Sequence, residues 1–351
     1  MALKEKGKEL LKRILPPVSV IGTKIRNWRW MLISGILSAL ICFAFMVMLF
    51  NRHYAIGVLK NQFDALEKNL QSIGYDYAYD DLRFYSFSPW QIMRIKNFRI
   101  YSLDDANFWQ WQTDELDLDV GLWNIDKVDV YLGRQQTVTQ GQKKWVAQLE
   151  KANMQFRLKY GALKEILFRA DNIVVKDFFA LETLYAQVKY QNQPCMIAKI
   201  DAKGGQIAPQ VDWSLNRHLD HFYTNLSMNG SWDKDILVSE AFYDWVEKGG
   251  TLSVHKAILN WKPLIMVGNG DVLFDEDGDP TVLLNTASLA LPETIEKMNE
   301  KGYISNKTAF VLKILLNNKA IQQNETDQYK TVVSPLKISK DAVVLENIKI
   351  K

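Results

Sequence analysis

Twenty-one consecutive residues carry no charge, from Trp30 to Phe50. Wound as a helix at about 1.5 Å per residue, such a run covers the roughly 30 Å of hydrocarbon in a bilayer. Trp28 and Trp30 stand at one end, where indole rings favour the headgroup layer. A buried core helix seldom stays uncharged for this long. A cleaved signal peptide has an apolar stretch of about 7–15 residues followed by small residues at the cleavage point. Phe50-Asn51-Arg52-His53-Tyr54 supplies no such site. The run therefore reads as an uncleaved transmembrane signal anchor over 30–50.

Charge placement gives that anchor a direction. The net charge of the 351 residues is +3. Residues 1–29 hold eight basic and two acidic groups, and the rest of the chain holds 35 basic against 38 acidic. Lys4, Lys6, Lys8, Lys12, Arg13, Lys24, Arg26 and Arg29 precede the run, while only Arg52 follows closely. The positive-inside bias keeps the leader 1–29 in the cytoplasm, in contact with anionic lipid, and places about 300 residues across the membrane. A mildly acidic body argues against nucleic-acid binding. With 48% apolar and 24% charged residues, that body can pack a core. Cys42 lies inside the run and Cys195 is alone in the exported part. An exported domain without a disulfide of its own suits a bacterial periplasm, so the expectation is a single-pass inner-membrane protein. The Asn-x-Ser/Thr sequons at Asn225, Asn229, Asn306 and Asn324 read as chance in that setting.

After the anchor, Ile56, Leu59, Phe63, Leu66, Leu70 and Ile73 recur at spacings of three and four, predicting a helix over 53–73 stopped by Gly74. Its stripe either packs on the exported domain or dimerises the anchor. Beyond Gly74 the period becomes two. Leu116, Leu118, Val120 and Leu122 alternate with Asp117, Asp119 and Gly121, and Val128, Val130 and Leu132 alternate with Asp129 and Tyr131. These are half-buried antiparallel strands. Further strands are expected near 145–160, 165–190, 195–202, 225–232, 251–261, 264–275, 281–290, 330–339 and 342–350. Gly249-Gly250, Gly268-Asn269-Gly270 and Asp277-Gly278 read as turns between elements. Helices are expected at 237–248, at 292–301 with Pro292 in its first turn, and at 305–321 with Ser305 as N-cap. The expected fold is α+β: a transmembrane helix, then a mainly antiparallel, curved β-meander with a few flanking helices. Its segments are a leader 1–29, an anchor 30–50, a juxtamembrane amphipathic helix 51–74 and a periplasmic β-rich domain 75–351.

Motifs for chemistry are sparse. Asp275, Glu276, Asp277 and Asp279 could hold a metal for an envelope enzyme of glycan or lipid metabolism. Counted as a calcium loop from Asp275, however, the sixth and twelfth positions are Pro280 and Thr286, where glycine and a bidentate Glu are needed. A solvated hairpin turn built on Asp-Gly is the simpler reading. His218 and His221 lack a third ligand in a matching pattern and read as a surface loop. Ser334-Pro335-Leu336-Lys337 has the Ser-x-x-Lys spacing of penicillin-recognising enzymes, but Pro335 opposes the required helix and no Lys-Thr-Gly follows. No phosphate loop, nucleophile elbow or His-Glu-x-x-His helix is present. The expectation is therefore a protein without an enzymatic reaction, cofactor or metal centre. Its 14 aromatic residues between Tyr75 and Tyr131 either fill a core or line an apolar groove that holds an acyl chain. The groove candidates are Trp109, Leu116, Leu118, Val120 and Leu122.

Two stretches carry a resemblance. The first runs from Trp90 to Leu132 and holds Ala106-Asn107-Phe108-Trp109, Leu116–Leu122 and a Trp123-Asn124 corner. The second holds Gly250-Thr251-Leu252, Asn260-Trp261-Lys262-Pro263-Leu264 and Gly270-Asp271-Val272-Leu273, with a closing strand pair from Pro335 to Leu345. Together they resemble the alphaproteobacterial envelope family called domain of unknown function 2125 and, more distantly, AsmA-like envelope proteins. The family's usual Gly-Phe-Pro-Phe turn stands here as Ser86-Phe87-Ser88-Pro89. The resemblance implies no catalytic residues. Through the AsmA-like proteins it implies an anchored β-rich fold with a hydrophobic groove, linked to outer-membrane lipid and protein homeostasis. Topology, alternating strands, the aromatic excess and the missing catalytic signatures make lipid binding, lipid transfer or envelope assembly the expected function, with a lipid or an envelope protein as partner.

Overall fold

A computed structural model of the chain describes scattered helical positions between 38 and 71. From 74 to 349 it describes all residues except 86–89, 104–107, 122–123, 160–161, 192–195, 212–215, 232–237, 276, 321–330 and 341. The chain divides into two compact units, 1–59 and 60–351. In the first, Leu40, Ile41, Phe43, Met46 and Leu49 are helical and exposed. Among the described residues no helix is long and apolar enough to cross a membrane. The leader and most of the expected anchor lie outside the described residues, as do Leu59, Phe63, Leu66 and Ile73 of the juxtamembrane stripe. Gly74, at φ 79°, donates its N–H to Gln71 O at 3.2 Å, the expected stop.

The second unit is mainly antiparallel sheet. Its first nine strands are β1 (Tyr75–Ala78), β2 (Asp81–Tyr85), β3 (Trp90–Ser102), β4 (Trp109–Gly121), β5 (Asn124–Leu132), β6 (Gln135–Gln140), β7 (Lys143–Gln148), β8 (Lys151–Lys159) and β9 (Ala162–Val175). The next nine are β10 (Phe179–Tyr190), β11 (Met196–Ile207), β12 (His218–Asn229), β13 (Thr251–Trp261), β14 (Leu264–Phe274), β15 (Pro280–Leu289), β16 (Thr331–Ser339), β17 (Ala342–Leu345) and β18 (Ile348–Lys349). Three helices accompany them: α1 (Val238–Glu247), α2 (Leu291–Glu300) and α3 (Asn306–Lys319). From β9 onward each strand pairs with the next, as a meander requires. Earlier, two short strands repeatedly share one long neighbour. β1 and β2 lie end to end along β3, β5 and β6 along β4, and β7 and β8 along β9.

Four expectations are corrected. The stretch 145–160 is two strands, β7 and β8, parted at Leu149 and Glu150. The stretch 165–190 is two strands, because Asp177 at φ 61° turns the chain back between β9 and β10. Gly268-Asn269-Gly270 is the interior of β14, not a turn. A Cβ on Gly270 would stand 1.9 Å from Leu283 O, so glycine lets the β15 backbone approach. The register shift in β13 between Val254 and Ala257 lies opposite this stretch. His218–His221 opens β12 rather than forming a loop, since Leu219 and Phe222 join the apolar side of the sheet.

A seam explains the paired short strands. At Asn97 (φ 51°), Asn172 (φ 51°) and Gly204 (φ 65°) the backbone is left-handed in mid-strand. One such residue breaks the two-residue alternation, so that positions two before and one after share a face. Ile95 and Phe98, and likewise Ala170 and Ile173, are accordingly buried three residues apart. The ladder skips Asn172 and Glu182, then Gly204 and Asp220. Polar side chains meet the distorted backbone. Asn97 Nδ2 donates to Asp80 Oδ2 at 2.6 Å, Asn172 Nδ2 donates to Glu150, and Asp114 Oδ1 accepts from the N–H groups of Glu115 (3.0 Å) and Gln135 (3.2 Å).

The helices cover one end of the apolar face. Leu312 and Leu316 of α3 are fully buried with Ile295 of α2 against Val332, Leu345 and Leu264. Each such side chain contributes about 1.5–3 kcal/mol relative to exposure. Ser305 caps α3 as expected, accepting from Thr308 N at 3.1 Å. Phe242 and Trp245 of α1 pack edge-on against Phe274, at 5.3 and 5.5 Å between ring centroids.

Candidate functional site

Residues directly opposite in an antiparallel pair point to the same face, so the registers can be followed from strand to strand. One row runs Leu82, Ile95, Leu116, Leu132, Ala152, Ala170, Leu184, Ala202, Phe222, Leu259 and Met266. Beside it run Met93, Leu118, Val130, Met154, Phe168, Ala186 and Ile200. A third row is Val120, Val128, Phe156, Ile166, Val188, Ala198, Leu226 and Val254. The named members are all apolar; the second row meets Thr224 of β12 next after Ile200, and the third meets Gln91 of β3 before Val120. From β3 to β13 the track crosses nine strands, on the order of 40 Å at about 4.8 Å per strand step.

Burial along the track is uneven. Met93, Ile95, Leu116 and Val120 are buried at the β3–β4 end. Met154, Phe156, Ile166, Phe168, Leu184, Val188, Ile200 and Leu226 are half-buried. Small residues (Ala152, Ala170, Ala186, Ala198 and Ala202) interrupt the large ones and lower the floor. Just past the seam the track opens into an apolar cavity of about 330 Å³, lined by Leu181, Ala202, Leu219, Phe222 and Trp261 with Phe178 at 52% exposure. That volume falls in the range of small-molecule sites.

The opposite face is polar. Arg94, Asp117, Tyr131, Asn153, Arg169, Tyr185, Asp201 and Tyr223 form its matching row. Arg94 holds Asp117 through two bonds of 2.8 and 2.6 Å. Burial, reinforced by Asp129 and Asp119, pushes the Tyr131 hydroxyl above its ordinary pKa. A hollow of about 800 Å³ lies beside Asp114, Glu150 and Arg169, with Leu132 and Ala152 of the apolar row also in its wall.

Of the expected groove residues, Leu116 and Val120 are buried and Leu118 is half-buried, all on the track. Leu122 lies outside the described residues. Trp109 stands across the seam, half-buried and edge-on to Tyr75 at 6.1 Å. The cavity residues Leu181, Ala202, Leu219, Phe222 and Trp261 went unread in the sequence, although Ala198, Ile200 and Ala202 alternate with Lys199, Asp201 and Lys203. That alternation marks a strand. It does not tell which neighbours its apolar side meets.

The acidic stretch forms the β14–β15 hairpin turn, with Gly278 at φ 79°. Asp275 Oδ1 accepts from the N–H groups of Asp277 (3.1 Å) and Asp279 (2.8 Å), and Asp279 pairs with Lys340 at 2.7 Å. Asp275 and Asp277 are exposed, and Glu276 lies outside the described residues. His221 lies 3.0 Å from Asp201 and His218 lies 3.2 Å from Asp220, each with its own carboxylate. Among the described residues no three metal-ligating side chains converge.

The model of a family described as an uncharacterized protein conserved in bacteria (DUF2125) matches residues 53–350. No curated protein and no solved structure matches the chain.

Proposed function

Because the chain belongs to this DUF2125 family of uncharacterised bacterial proteins, its function has to be argued from its own surfaces, and we propose that it is a tethered, non-enzymatic lipid-binding protein of the bacterial envelope. Residues 30–50 hold it in the inner membrane with the leader in the cytoplasm. The β-rich domain stands in the periplasm and keeps an acyl chain on the apolar face of its sheet, for transfer or as part of envelope assembly. The observation that carries this reading is the continuous apolar track, half-buried along its middle and opening into the 330 Å³ cavity. An apolar surface left half-open to water is costly, at about 25 cal/mol per Å², and a hydrocarbon chain laid on it recovers that energy. The exposed apolar helical residues between Leu40 and Leu49 support the tether.

The test is a comparison within the full chain, so that lipid bound at the tether cancels. Organic extraction and mass spectrometry of the purified protein should find acyl lipid, and a fluorescent fatty acid should bind. Ala202→Phe fills the cavity, and Ala186→Trp blocks the track outside it. Each should cut fatty-acid binding several-fold in a chain that still unfolds cooperatively. Equal binding by the original chain and both variants would refute the proposal.

A further inference from the structure

The α3 helix is apolar on both sides. Its inner side, Ala309, Leu312 and Leu316, is buried against α2 and the sheet. Its outer side presents Phe310 at 66% exposure, with Val311, Ile314 and Leu315 beside it. Positions 310 and 314, and 311 and 315, are one helical turn apart, so the four side chains form one patch. A helix whose outer side faced water alone would carry polar residues there.

We infer that this outer side of α3 docks on the surface of an anionic lipid bilayer. Charge and size select that occupant. The charged residues of α3 are Lys307, Lys313 and Lys319, with no carboxylate. Lys313 reaches back to Glu296 at 3.1 Å and Lys319 to Glu346, while Lys307 is exposed in the first turn. Lys307, one turn before Phe310 and Val311, complements anionic headgroups, with its stem lying along the apolar surface and its ammonium group in the headgroup layer. Four side chains fall well short of the roughly 800 Å² per partner of a standard protein interface. Shallow insertion, with the apolar side about 5–10 Å into the headgroup boundary, has no such threshold. The patch lies on the side of α3 that faces away from the sheet, so this inference stands apart from the lipid track.

The test places p-benzoylphenylalanine at position 310 of the full chain, in vesicles of phosphatidylcholine and phosphatidylglycerol. The control position is 333, where Val333 is 59% exposed. Irradiation should give lipid adducts at 310 several-fold above those at 333. Adducts at 310 should fall several-fold with Lys307→Glu, and also in vesicles of phosphatidylcholine alone. Adduct yields equal at the two positions, or a cross-link from 310 to a second copy of the chain, would overturn the inference. Because the track is read by fatty-acid binding to Ala202→Phe, failure of one proposal is distinguishable from failure of the other.

Discussion

Ala170 and Ile173 stand three residues apart in one strand and are buried in the same apolar cluster. Regular alternation would put them on opposite faces. Asn172 between them, at φ 51°, reconciles the two. The same device at Asn97 joins Ile95 to Phe98, and at Gly204 it joins Ala202 to Gly205. The apolar face thus continues across a left-handed break in β3, β9 and β11.

If Asn172 is there for its backbone, side chains should rank by tolerance of the left-handed region. Asn172→Val is expected to lower stability by about 1–3 kcal/mol, and Asn172→Gly by less than about 1 kcal/mol. Urea unfolding of the two variants measures the difference. Equal losses would show that the bond to Glu150, which both remove, matters and the backbone does not.

Trp245 is 1% exposed and donates its indole N–H to Asn229 O at 2.6 Å. Gly250 lies under its ring, and a Cβ there would stand 2.2 Å from Trp245 Cε2. Gly250→Ala should therefore cost about 1–3 kcal/mol through forced repacking of the indole. Gly249→Ala meets no neighbouring atom and acts through its φ of 76° alone. The midpoints of thermal unfolding should fall in both, with the indole emission altered in Gly250→Ala and unchanged in Gly249→Ala.

Asp119 faces Asp129 directly across the β4–β5 ladder. Asp129 has Lys127 at 2.7 Å and Gln155 at 2.7 Å, whereas Asp119 Oδ1 is buried without a hydrogen-bond partner among the described residues. Burial first, then the charge of Asp129, raises the Asp119 pKa above its ordinary 3.8, against the opposing effect of Lys127. The folded chain holds this proton more tightly than the unfolded chain. The associated stability is present below the unfolded value and is lost as pH rises through the folded one. Asp119→Asn should be more stable than the original chain at neutral pH, and its advantage should shrink toward pH 4. A variant whose advantage stays constant with pH would contradict this assignment.

Local elements were largely legible in the sequence. The alternation of Leu116, Leu118 and Val120 with carboxylates marked β4, Ser305 marked the start of α3, and Asp277-Gly278 marked a hairpin. The missed features are those where one residue type serves two purposes. Glycines at 268 and 270 looked like a turn because glycine is the usual turn residue, yet in β14 they admit a neighbouring backbone. The left-handed backbone at Asn97 and Asn172 leaves no mark in the sequence, since an asparagine at φ 51° is the same letter as any other.

By itself the sequence determined an uncharged run preceded by basic residues and a body of amphipathic strands, because charge, hydropathy and period are properties of consecutive residues. Tertiary structure alone decided that the apolar sides of strands far apart in the chain line up into one track, and that the track opens between Leu181, Leu219 and Trp261. The physical reason is register. Which residue lies opposite which is set by bonds between strands and by the left-handed breaks within them, and a pattern read along one strand contains neither.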